Sequence, residues 1–439
     1  MAESLFTFDR ERLHTLLAGP QPAIGTPCFI YNLDHAAQRF AALRRVLPPR
    51  VRLAYAVKSN PGGPLLSTFA QLGAWFDCAS AGEVDRVVAA SPYGGLVFAG
   101  PAKSDRDLSA ALSAGARIQV DGIEDVARIS AEHRRVGGLD AAPLPINVRV
   151  NPASGVSERA SIIGGGGPSA FGVDEEDLGE FIAEARTYRA VAIAGLQVFA
   201  ASNELDADVL LANHRTALRI ARTLRDEHGV DVDLIDIGGG LGIRYADTAA
   251  DHDLDIVALG AGLAALLTDN PWFTGHLLLE PGRWLSGPCG VYAARVVRTK
   301  VSRGVHFVML EGGINHLLRP LMTGQSFPTT ALRCADLPNA RSNAPDAPGP
   351  QRAAVPGNAP DAPGAQRSPG RGSEPAPEVE FTLAGPLCTS LDRLGTGRLP
   401  ADLRAGDVVV FGQSGAYAYT QAMTHFLSHP APAQHWLES

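Results

Sequence analysis

Cysteine is scarce and unpaired in this sequence. Its 439 residues include five cysteines, at positions 28, 78, 289, 334 and 388, and no two of them have C-x-x-C spacing. An odd number of scattered cysteines is typical of reduced thiols, not of a disulfide or zinc framework, so we predict no structural disulfide and no metal site. A cysteine with a chemical role would have to be identified from its neighbours in the chain.

The sequence also lacks the charge pattern and the long apolar runs of several other protein classes. The formal net charge is −8, the pI is about 5.8 and there is no block of like charge, so we expect no nucleic-acid or anionic membrane partner. The longest apolar run, Val257 to Leu267, is too short to span a bilayer, and the charged start MAESLFTFDRERLH is unlike a signal peptide. We therefore expect a cytoplasmic protein that acts on small molecules.

Short apolar runs alternate with helical stretches between residues 28 and 280. These runs are CFIYNL, RLAYAV, AWFDCAS, GLVFAG, ARIQVD, PINVRVN, AIAGLQVFA, LIDIGG and HLLLEPG. Buried runs of about four to eight residues, separated by one amphipathic helix each, are typical of parallel βα units. Their number predicts a (β/α)8 barrel over residues 28–280, within an α/β fold.

A different pattern follows Gly282, where strand-like runs such as GVYAARVVRTKV, HFVMLEGG, VEFTLAG and GDVVVFGQSGAY occur without comparable helices. We predict a second, mainly β domain from residues 281–439 together with 1–27. Residues 335–378 interrupt it and consist almost entirely of Ala, Pro, Gly, Asn, Asp, Arg and Ser, with NAPDAPGPQR repeated as NAPDAPGAQR. Such a composition cannot repay its ordering entropy, so we predict a disordered insertion, either a simple linker or a docking segment.

A lone lysine, Lys58, ends the apolar run LAYAV. In a barrel, catalytic groups lie at the carboxyl ends of the strands. Lys58 could be a strand-end lysine whose stem packs while its ammonium reaches water. It could equally be an amine whose pKa is lowered by desolvation until it forms a Schiff base.

Two further patterns at strand ends point to an anionic cofactor. LIDIGGGLG at 234–242 places three glycines after an apolar strand, where backbone N–H groups can approach a phosphate, although a tight turn explains it equally well. LLLEPGRWL contains Glu280 and Arg283, which could form a structural ion pair or could bind a ring nitrogen and a phosphate respectively. An amine, an acid and phosphate donors together describe a site for pyridoxal 5′-phosphate.

The motifs of the chain also follow a known order, namely YAVKSN, FDCAS.GE, D.GGG.G, EPGR, GP.C and GAY. In this order they resemble the fold type III pyridoxal phosphate-dependent decarboxylases of the ornithine/diaminopimelate decarboxylase family. The resemblance implies an alanine racemase-like barrel with a C-terminal β domain, pyridoxal 5′-phosphate as cofactor, and a homodimer with active sites shared at the interface.

The resemblance assigns roles to particular residues. Lys58 would form the Schiff base with the cofactor, and Glu280 would pair with its protonated ring nitrogen. Asp77 and Arg149 would lie near the lysine and the ring. Six residues match the positions around the phosphate, and they are Ser202, Gly239, Gly240, Gly282, Arg283 and Tyr417.

The segment GPLCTSLD contains two further candidates. Cys388 resembles the cysteine that the second subunit contributes in this family to return a proton to the substrate carbon, whereas a lone thiol is often only a buried structural residue. Asp392 could bind a distal amine of the substrate or could be a solvated turn residue. We predict Cys388 as catalytic, together with Lys58.

The chain departs from the better-known family members at positions that are expected to recognise the substrate. Phe199 stands where they carry a histidine stacked on the cofactor ring; phenylalanine can stack but cannot donate a hydrogen bond. The usual lysine before Phe171-Gly172 is missing, and Thr389 replaces an acidic residue. This pattern resembles a branch of secondary metabolism and siderophore assembly in which the amino acid is attached to a carrier protein or to citrate.

The stretch GGINHLLRP adds two substrate-binding candidates, His316 and Arg319, which could recognise a carboxylate or an amide or could be surface groups. We predict an enzyme that removes the α-carboxylate of a diamino or conjugated amino acid. The alternatives are meso-diaminopimelate decarboxylation in lysine biosynthesis, an amino-acid racemase on the same barrel, and a non-catalytic binding protein that resembles a decarboxylase.

Overall fold

The computed structural model describes residues 4–91, 94–137, 142–153, 168–199, 201–246, 252–334 and 376–438. The strands of these residues are β1 (Cys28–Asn32), β2 (Val51–Ala56), β3 (Trp75–Cys78), β4 (Leu96–Phe98), β5 (Arg117–Val120), β6 (Leu144–Asn151), β7 (Val173–Asp174), β8 (Val191–Gln197), β9 (Leu234–Asp236), β10 (His276–Leu279), β11 (Gly290–Ser302), β12 (Val305–Leu310), β13 (Thr329–Leu332), β14 (Glu378–Ala384), β15 (Arg393–Pro400), β16 (Val408–Phe411) and β17 (Ala433–Leu437).

The α-helices of the same residues are α1 (Arg10–Leu17), α2 (Leu33–Val46), α3 (Gly63–Gln71), α4 (Ala81–Ala90), α5 (Asp105–Ser113), α6 (Ile123–Gly137), α7 (Leu178–Ala185), α8 (Ala207–Asp226), α9 (Ile256–Asp269), α10 (Arg283–Ser286) and α11 (Arg319–Thr323). None of these helices combines the length and the apolar character needed to cross a membrane.

Eight parallel strands close into a barrel, in the order β5, β4, β3, β2, β10, β9, β8, β6, with β6 pairing back to β5. In β2, every residue except Arg52 is buried, because the outer helices cover one face and the barrel interior covers the other. Local signals position the helices: Ser104 and Asp107 form a reciprocal capping box at the start of α5. The predicted (β/α)8 barrel is confirmed.

The second domain is a sheet in the order β13, β16, β11, β12, β14, β15, to which β1 and β17 are added beside β11. Helix α1 packs on this sheet through Leu13 and Leu17, which share an apolar cluster with Val291 and Val410. A mainly β domain next to the barrel is therefore confirmed as the second part of the fold.

The expected start of the barrel at residue 28 is wrong. Strand β1 pairs antiparallel with β11 and parallel with β17, so it belongs to the β sheet, and the first barrel strand begins at Val51. Both locations bury all residues of the strand, so the apolar run CFIYN satisfies either one. Most of the predicted insertion, residues 335–375, lies outside the described residues, and Glu378 at its end is the first residue of β14.

Candidate active site

A cavity lies at the carboxyl ends of the barrel strands, and the β domain contributes part of its wall. Among the residues that line it are nine of the predicted ones: Lys58, Phe199, Ser202, Gly240, Glu280, Gly282, Arg283, Arg319 and Tyr417. The carboxyl ends of neighbouring parallel strands meet at one edge of the barrel, so residues far apart in the chain share one cavity.

Lys58 forms an ion pair with Asp77 at the barrel mouth. Strands β2 and β3 are adjacent, and Lys58 Nζ lies 2.7 Å from Asp77 Oδ2. Burial alone would lower the pKa of Lys58, but the charges of Asp77 and Glu280 outweigh it and raise that pKa above its ordinary value. The ion pair with Asp77 thus acts against the lowered pKa that one interpretation of Lys58 invoked, and 36% of the side chain is accessible.

Glu280 lines the cavity with a buried carboxyl group. Its side chain is buried, Oε1 accepts a hydrogen bond from Gln197 Nε2 at 3.1 Å, and Oε2 has no hydrogen-bond partner among the described residues. Burial and the nearby carboxylates of Asp236 and Asp77 raise the pKa of Glu280 well above its ordinary value. A buried carboxyl with a free oxygen is suited to bind a ring nitrogen.

A second buried carboxyl, Asp236 at the end of β9, is linked to Glu280 through the side chain of Gln197. Gln119 donates a hydrogen bond to Asp236 Oδ2, and the Gly238 N–H donates to Oδ1 at 2.9 Å. Burial raises the pKa of Asp236 to about 6. Sequence reasoning missed Asp236, Gln119 and Gln197, although each lies at or near the carboxyl end of a barrel strand, the position where catalytic groups are expected.

Close backbone packing explains the run of glycines that follows β9 beside the cavity. A Cβ atom on Gly239 would lie 2.3 Å from the carbonyl oxygen of Glu280. Gly240 has a φ of +88°, and a Cβ there would lie 2.7 Å from the carbonyl oxygen of Ala201. Only glycine fits both positions without a shift of the backbone, and the strand ends stay close together around the cavity as a result.

Two guanidinium groups, those of Arg283 and Arg319, line the cavity together with Tyr417. Arg283 donates from Nη1 to the Tyr245 hydroxyl at 2.8 Å, and its guanidinium carbon lies 4.6 Å from the Tyr417 ring centroid. The guanidinium carbon of Arg319 lies 4.6 Å from the Tyr245 ring centroid, and its Nε has no hydrogen-bond partner among the described residues. This part of the cavity is cationic and is suited to an anionic group.

Tyr417 reaches the cavity from the β domain in an unusual backbone conformation. Its φ is 51°, and its N–H donates to the carbonyl oxygen of Ser59 at 2.8 Å. Two residues earlier, a Cβ on Gly415 would lie 1.8 Å from the carbonyl oxygen of Ser286. A positive φ costs a non-glycine residue about 1–3 kcal/mol, so the surrounding contacts must hold this turn. The GAY motif is the local cause of that arrangement.

Two predicted substrate residues are held by the β domain itself. Asp392 is buried, and its two carboxylate oxygens accept from the N–H groups of Ile314 at 2.8 Å and Leu387 at 2.7 Å. His316 is also buried, with Nδ1 2.9 Å from the Tyr292 hydroxyl and Nε2 3.1 Å from a backbone carbonyl oxygen. The structure thus ties both residues to the β domain, and their predicted contacts with a substrate stay predictions.

The remaining predicted residues lie next to the cavity or at the surface. The guanidinium carbon of Arg149 lies 4.3 Å from the Phe171 ring centroid, beside the barrel mouth. Phe199 lines the cavity, and its ring centroid is 6.0 Å from Lys58 Nζ. Cys388 is exposed in the loop between β14 and β15, so its predicted role would require a second subunit.

Comparison with known families identifies the class of enzyme. A model of the pyridoxal-dependent decarboxylases, for their pyridoxal binding domain, matches residues 33–287, more than half of the 439-residue chain. The chain belongs to the pyridoxal-dependent decarboxylase family. The predicted cofactor, pyridoxal 5′-phosphate, and the predicted enzyme class, an amino-acid decarboxylase, are confirmed by this membership.

Individual family members differ in the substrates that their names give. The L-glutamyl-[BtrI acyl-carrier protein] decarboxylase of Niallia circulans is 26% identical over 417 residues, which cover 93% of this chain and 88% of that protein. The diaminopimelate decarboxylase of Deinococcus radiodurans is 29% identical over 412 residues, covering 93% of this chain and 89% of that protein.

A solved decarboxylase structure shares the fold. Diaminopimelate decarboxylase from Helicobacter pylori, complexed with L-lysine, superposes with a TM-score of 0.77 over 98% of this chain and 94% of that one, at 22% identity. This likeness supports the fold type III architecture of a barrel with a β domain.

The residues of the cavity fit the cofactor. Lys58 offers an amine for the aldehyde, and the unpartnered Oε2 of Glu280 offers an acceptor for the ring nitrogen. Gly240 and Arg283 line the wall that could hold the phosphate. The face of Phe199 could lie against the ring.

Proposed function

We propose that this enzyme removes the α-carboxylate of a conjugated amino acid, attached to a carrier protein or to citrate, or of a diamino acid. The observation that carries the proposal is the convergence of Lys58, Glu280 and Arg283 on one cavity. An amine, a buried acid and a cation at these relative places match the aldehyde, the ring nitrogen and the phosphate of the cofactor.

The far side of the cavity favours a conjugated substrate. Met322 lines the cavity and is 49% exposed, and the adjacent Leu321 is 39% exposed. A charged distal group would lose hydration against these apolar side chains, whereas a neutral amide or thioester linker would not. The buried Arg319, whose Nε lacks a hydrogen-bond partner among the described residues, offers a donor to a linker carbonyl.

The same reasoning weighs against recognition of a distal amine within one chain. Asp392, the candidate for that contact, has both carboxylate oxygens on backbone N–H groups. Phe199 on the cavity wall cannot compensate with a charge or a hydrogen bond. Both features differ from what binding of a free diamino acid would require.

Each side chain has a separable task in the proposed reaction. Bound pyridoxal phosphate supplies an electron sink for the bond between Cα and the departing carboxylate. Asp77 holds the Lys58 amine at 2.7 Å until the cofactor is bound. Glu280 Oε2 would accept a hydrogen bond from the ring nitrogen, and Phe199 would exclude water from one face of the ring. Cys388 of the partner subunit returns a proton to Cα.

The test is CO2 release from a panel of amino acids. The panel contains a glutamyl group on an acyl-carrier protein, a citrate-linked diamino acid, free glutamate, free ornithine and meso-diaminopimelate. We expect release from a conjugated substrate, with the corresponding free amino acid turned over far more slowly. Release from free meso-diaminopimelate alone would overturn the conjugate proposal and leave the decarboxylase assignment intact.

Arg319 allows a sharper version of this test. Arg319→Gln removes the buried donor and should raise KM for the conjugated substrate with a smaller effect on kcat, because the linker is remote from the breaking bond. Arg298→Gln changes an exposed arginine on β11 and serves as the matched control. Equal kinetics for wild type and Arg319→Gln would contradict a contact with the linker.

Diaminopimelate decarboxylation is the second candidate function, because Arg319 would also suit a distal carboxylate. In that case Arg319→Gln should impair meso-diaminopimelate and leave a conjugate unaffected. Exchange of the Cα hydrogen with solvent deuterium without CO2 release would instead indicate a racemase, and failure to bind the cofactor would indicate a non-catalytic binding protein.

A further inference from the structure

The floor of the cavity contains two buried carboxyl groups in one hydrogen-bonded cluster. Gln197 Nε2 lies 3.1 Å from Glu280 Oε1 and 3.5 Å from Asp236 Oδ2, so a single amide group bridges them. Gln119 and the N–H of Gly238 donate to the oxygens of Asp236. The carboxyl groups of Asp236 and Glu280 are also within hydrogen-bonding range of each other.

The charged groups around this cluster favour one proton bound to the pair of carboxyl groups. The titratable groups that face it are Asp77 from β3 and Lys58 after β2, and the Lys58 ammonium is already paired with Asp77. The glutamines from β5 and β8 are neutral. Two ionised carboxylates would therefore lie in the interior without a cation of their own, which is unfavourable. One shared proton removes that cost and satisfies the contact between the two carboxyl groups.

The hydrogen bonds also determine which oxygen stays available. Both oxygens of Asp236 accept hydrogen bonds from protein donors, and Oε1 of Glu280 accepts from Gln197. Oε2 of Glu280 is the oxygen of this pair without a hydrogen-bond partner among the described residues. Glu280 is the member of the pair that lines the cavity, and Oε2 is its oxygen left for a ligand.

We propose that Asp236 is a positioning residue that shares one proton with Glu280 and so keeps Glu280 Oε2 negatively charged toward the cofactor ring nitrogen. When a cation sits at Oε2, the shared proton moves from Glu280 to Asp236, and the net charge of the pair stays the same. At higher pH the pair can lose this proton and hold the cation more strongly. The inference rests on the proposed role of Glu280 at the ring nitrogen.

The test follows protonation of the ring nitrogen directly. Holoenzyme is prepared with pyridoxal phosphate labelled with ¹⁵N in the ring, and the ¹⁵N chemical shift is recorded against pH by solid-state NMR spectroscopy. In Asp236→Asn, a neutral and nearly isosteric change, we expect the ring nitrogen to lose its proton at least one pH unit lower than in wild type. That shift is a tenfold or larger change in the proton dissociation constant.

A second variant gives the opposite expectation. Gln119→Met removes a donor that stabilises ionised Asp236 and leaves both carboxyl groups in place, so the ring nitrogen should lose its proton at a higher pH than in wild type. A polar core residue with only a structural role would lower stability in both variants and would move neither titration. Should Asp236→Asn fail to fold, Gln119→Met decides: an upward shift supports the shared proton, and no shift or a downward shift overturns it.

Failure of the proposed function would look different from failure of this inference. If the cavity does not bind the cofactor, no ¹⁵N signal of bound cofactor appears in wild type. If the cofactor binds and Asp236→Asn titrates at the same pH as wild type, the role of Asp236 is wrong and the decarboxylase site stands.

Discussion

At the residue scale, burial and charge act on Lys58 in opposite directions. Burial disfavours its ammonium form, yet the carboxylates of Asp77 and Glu280 more than compensate, and the pKa of the amine is raised. A raised pKa keeps the amine protonated at neutral pH, where it is not a nucleophile. Asp77 therefore holds Lys58 in its protonated form, and the ion pair between them must break before the amine can react.

The ion pair gives a pH prediction. Asp77→Asn removes the nearest carboxylate, so the pKa of Lys58 should fall and the neutral fraction of the amine at a given pH should rise. Attachment of pyridoxal phosphate to Lys58, trapped by borohydride and measured by mass spectrometry, should then proceed at lower pH than in wild type. Asp85→Asn removes an exposed carboxylate on α4 and is the control. An unchanged pH profile in Asp77→Asn would contradict the claim that Asp77 keeps Lys58 protonated.

The pKa of Asp236 gives a stability prediction for the cofactor-free protein. Its value is raised from 3.8 to about 6, so the folded state binds more protons than the unfolded state between these two pH values. The free energy of unfolding therefore falls as pH rises through this window. Asp236→Asn should be more stable relative to wild type at pH 7 than at pH 4.5.

Urea unfolding at both pH values measures this difference. The contribution of Asp236 is present in full below its unfolded pKa and is lost as pH rises through its folded pKa. If the free energies of unfolding of Asp236→Asn and wild type differ by the same amount at both pH values, ionisation of Asp236 does not destabilise the folded protein.

At the element scale, Asp392 joins two loops of the β domain. It accepts from the N–H groups of Ile314 and Leu387, and a Cβ on Gly313 or Gly385 would lie 2.1 or 2.4 Å from its carboxylate oxygens. The glycines of EGGINH and AGPLC thus make space for a buried carboxylate. This contact also fixes the loop that contains Cys388.

Removal of the Asp392 carboxylate should be costly. Asp392→Ala leaves two backbone N–H groups without an acceptor, and we expect a loss of roughly 3 kcal/mol in the free energy of unfolding. Glu380→Ala, an exposed change on β14, should alter it by less than about 0.5 kcal/mol. Urea denaturation compares the two variants, and equal stabilities would contradict the structural position of Asp392.

Local sequence patterns made the barrel predictable, but they did not show that β1 belongs to the β sheet. Each barrel strand is an apolar run next to a helix, which a sequence shows directly. Strand β1 has the same local pattern, followed by α2, but its partners β11 and β17 come much later in the chain. Nothing in five consecutive buried residues distinguishes a barrel strand from a strand in the β sheet.

The site residues likewise divide into those that local sequence patterns predicted and those that they did not. Motifs with glycine, proline and a lone charge revealed Lys58, Glu280 and Arg283, and the structure brings them to one cavity. The carboxyl pair of Asp236 could not be predicted, because its contacts depend on how β5, β8 and β9 face one another inside the closed barrel. The contacts of Asp392 could not be predicted for the same reason, since its partners lie in two separate loops.

At the scale of the whole molecule, the proposed role of the exposed Cys388 thiol requires an assembly. The cavity contains the residues for cofactor binding, while Cys388 lies outside it at the surface of the same chain. A homodimer with two-fold symmetry would bring each Cys388 to the other subunit's cavity. The proposed proton return to Cα then depends on association of two copies.

Mixed dimers test this dependence. Lys58→Ala should abolish CO2 release, and Cys388→Ala should slow it or divert the product. When the two inactive or impaired variants are unfolded together and refolded as a mixture, each heterodimer should regain one intact site and the activity should partly recover. An unchanged rate and product for Cys388→Ala, or no recovery on mixing, would remove Cys388 from the mechanism.

The most direct test of the account is the site at which pyridoxal phosphate attaches. Purified enzyme loaded with the cofactor is reduced with borohydride, digested and mapped by mass spectrometry. The account predicts a modified Lys58 and no attachment in Lys58→Ala. Modification of another lysine, such as the buried Lys103 that is paired with Asp121 and Asp125, or retained attachment in Lys58→Ala, would contradict it.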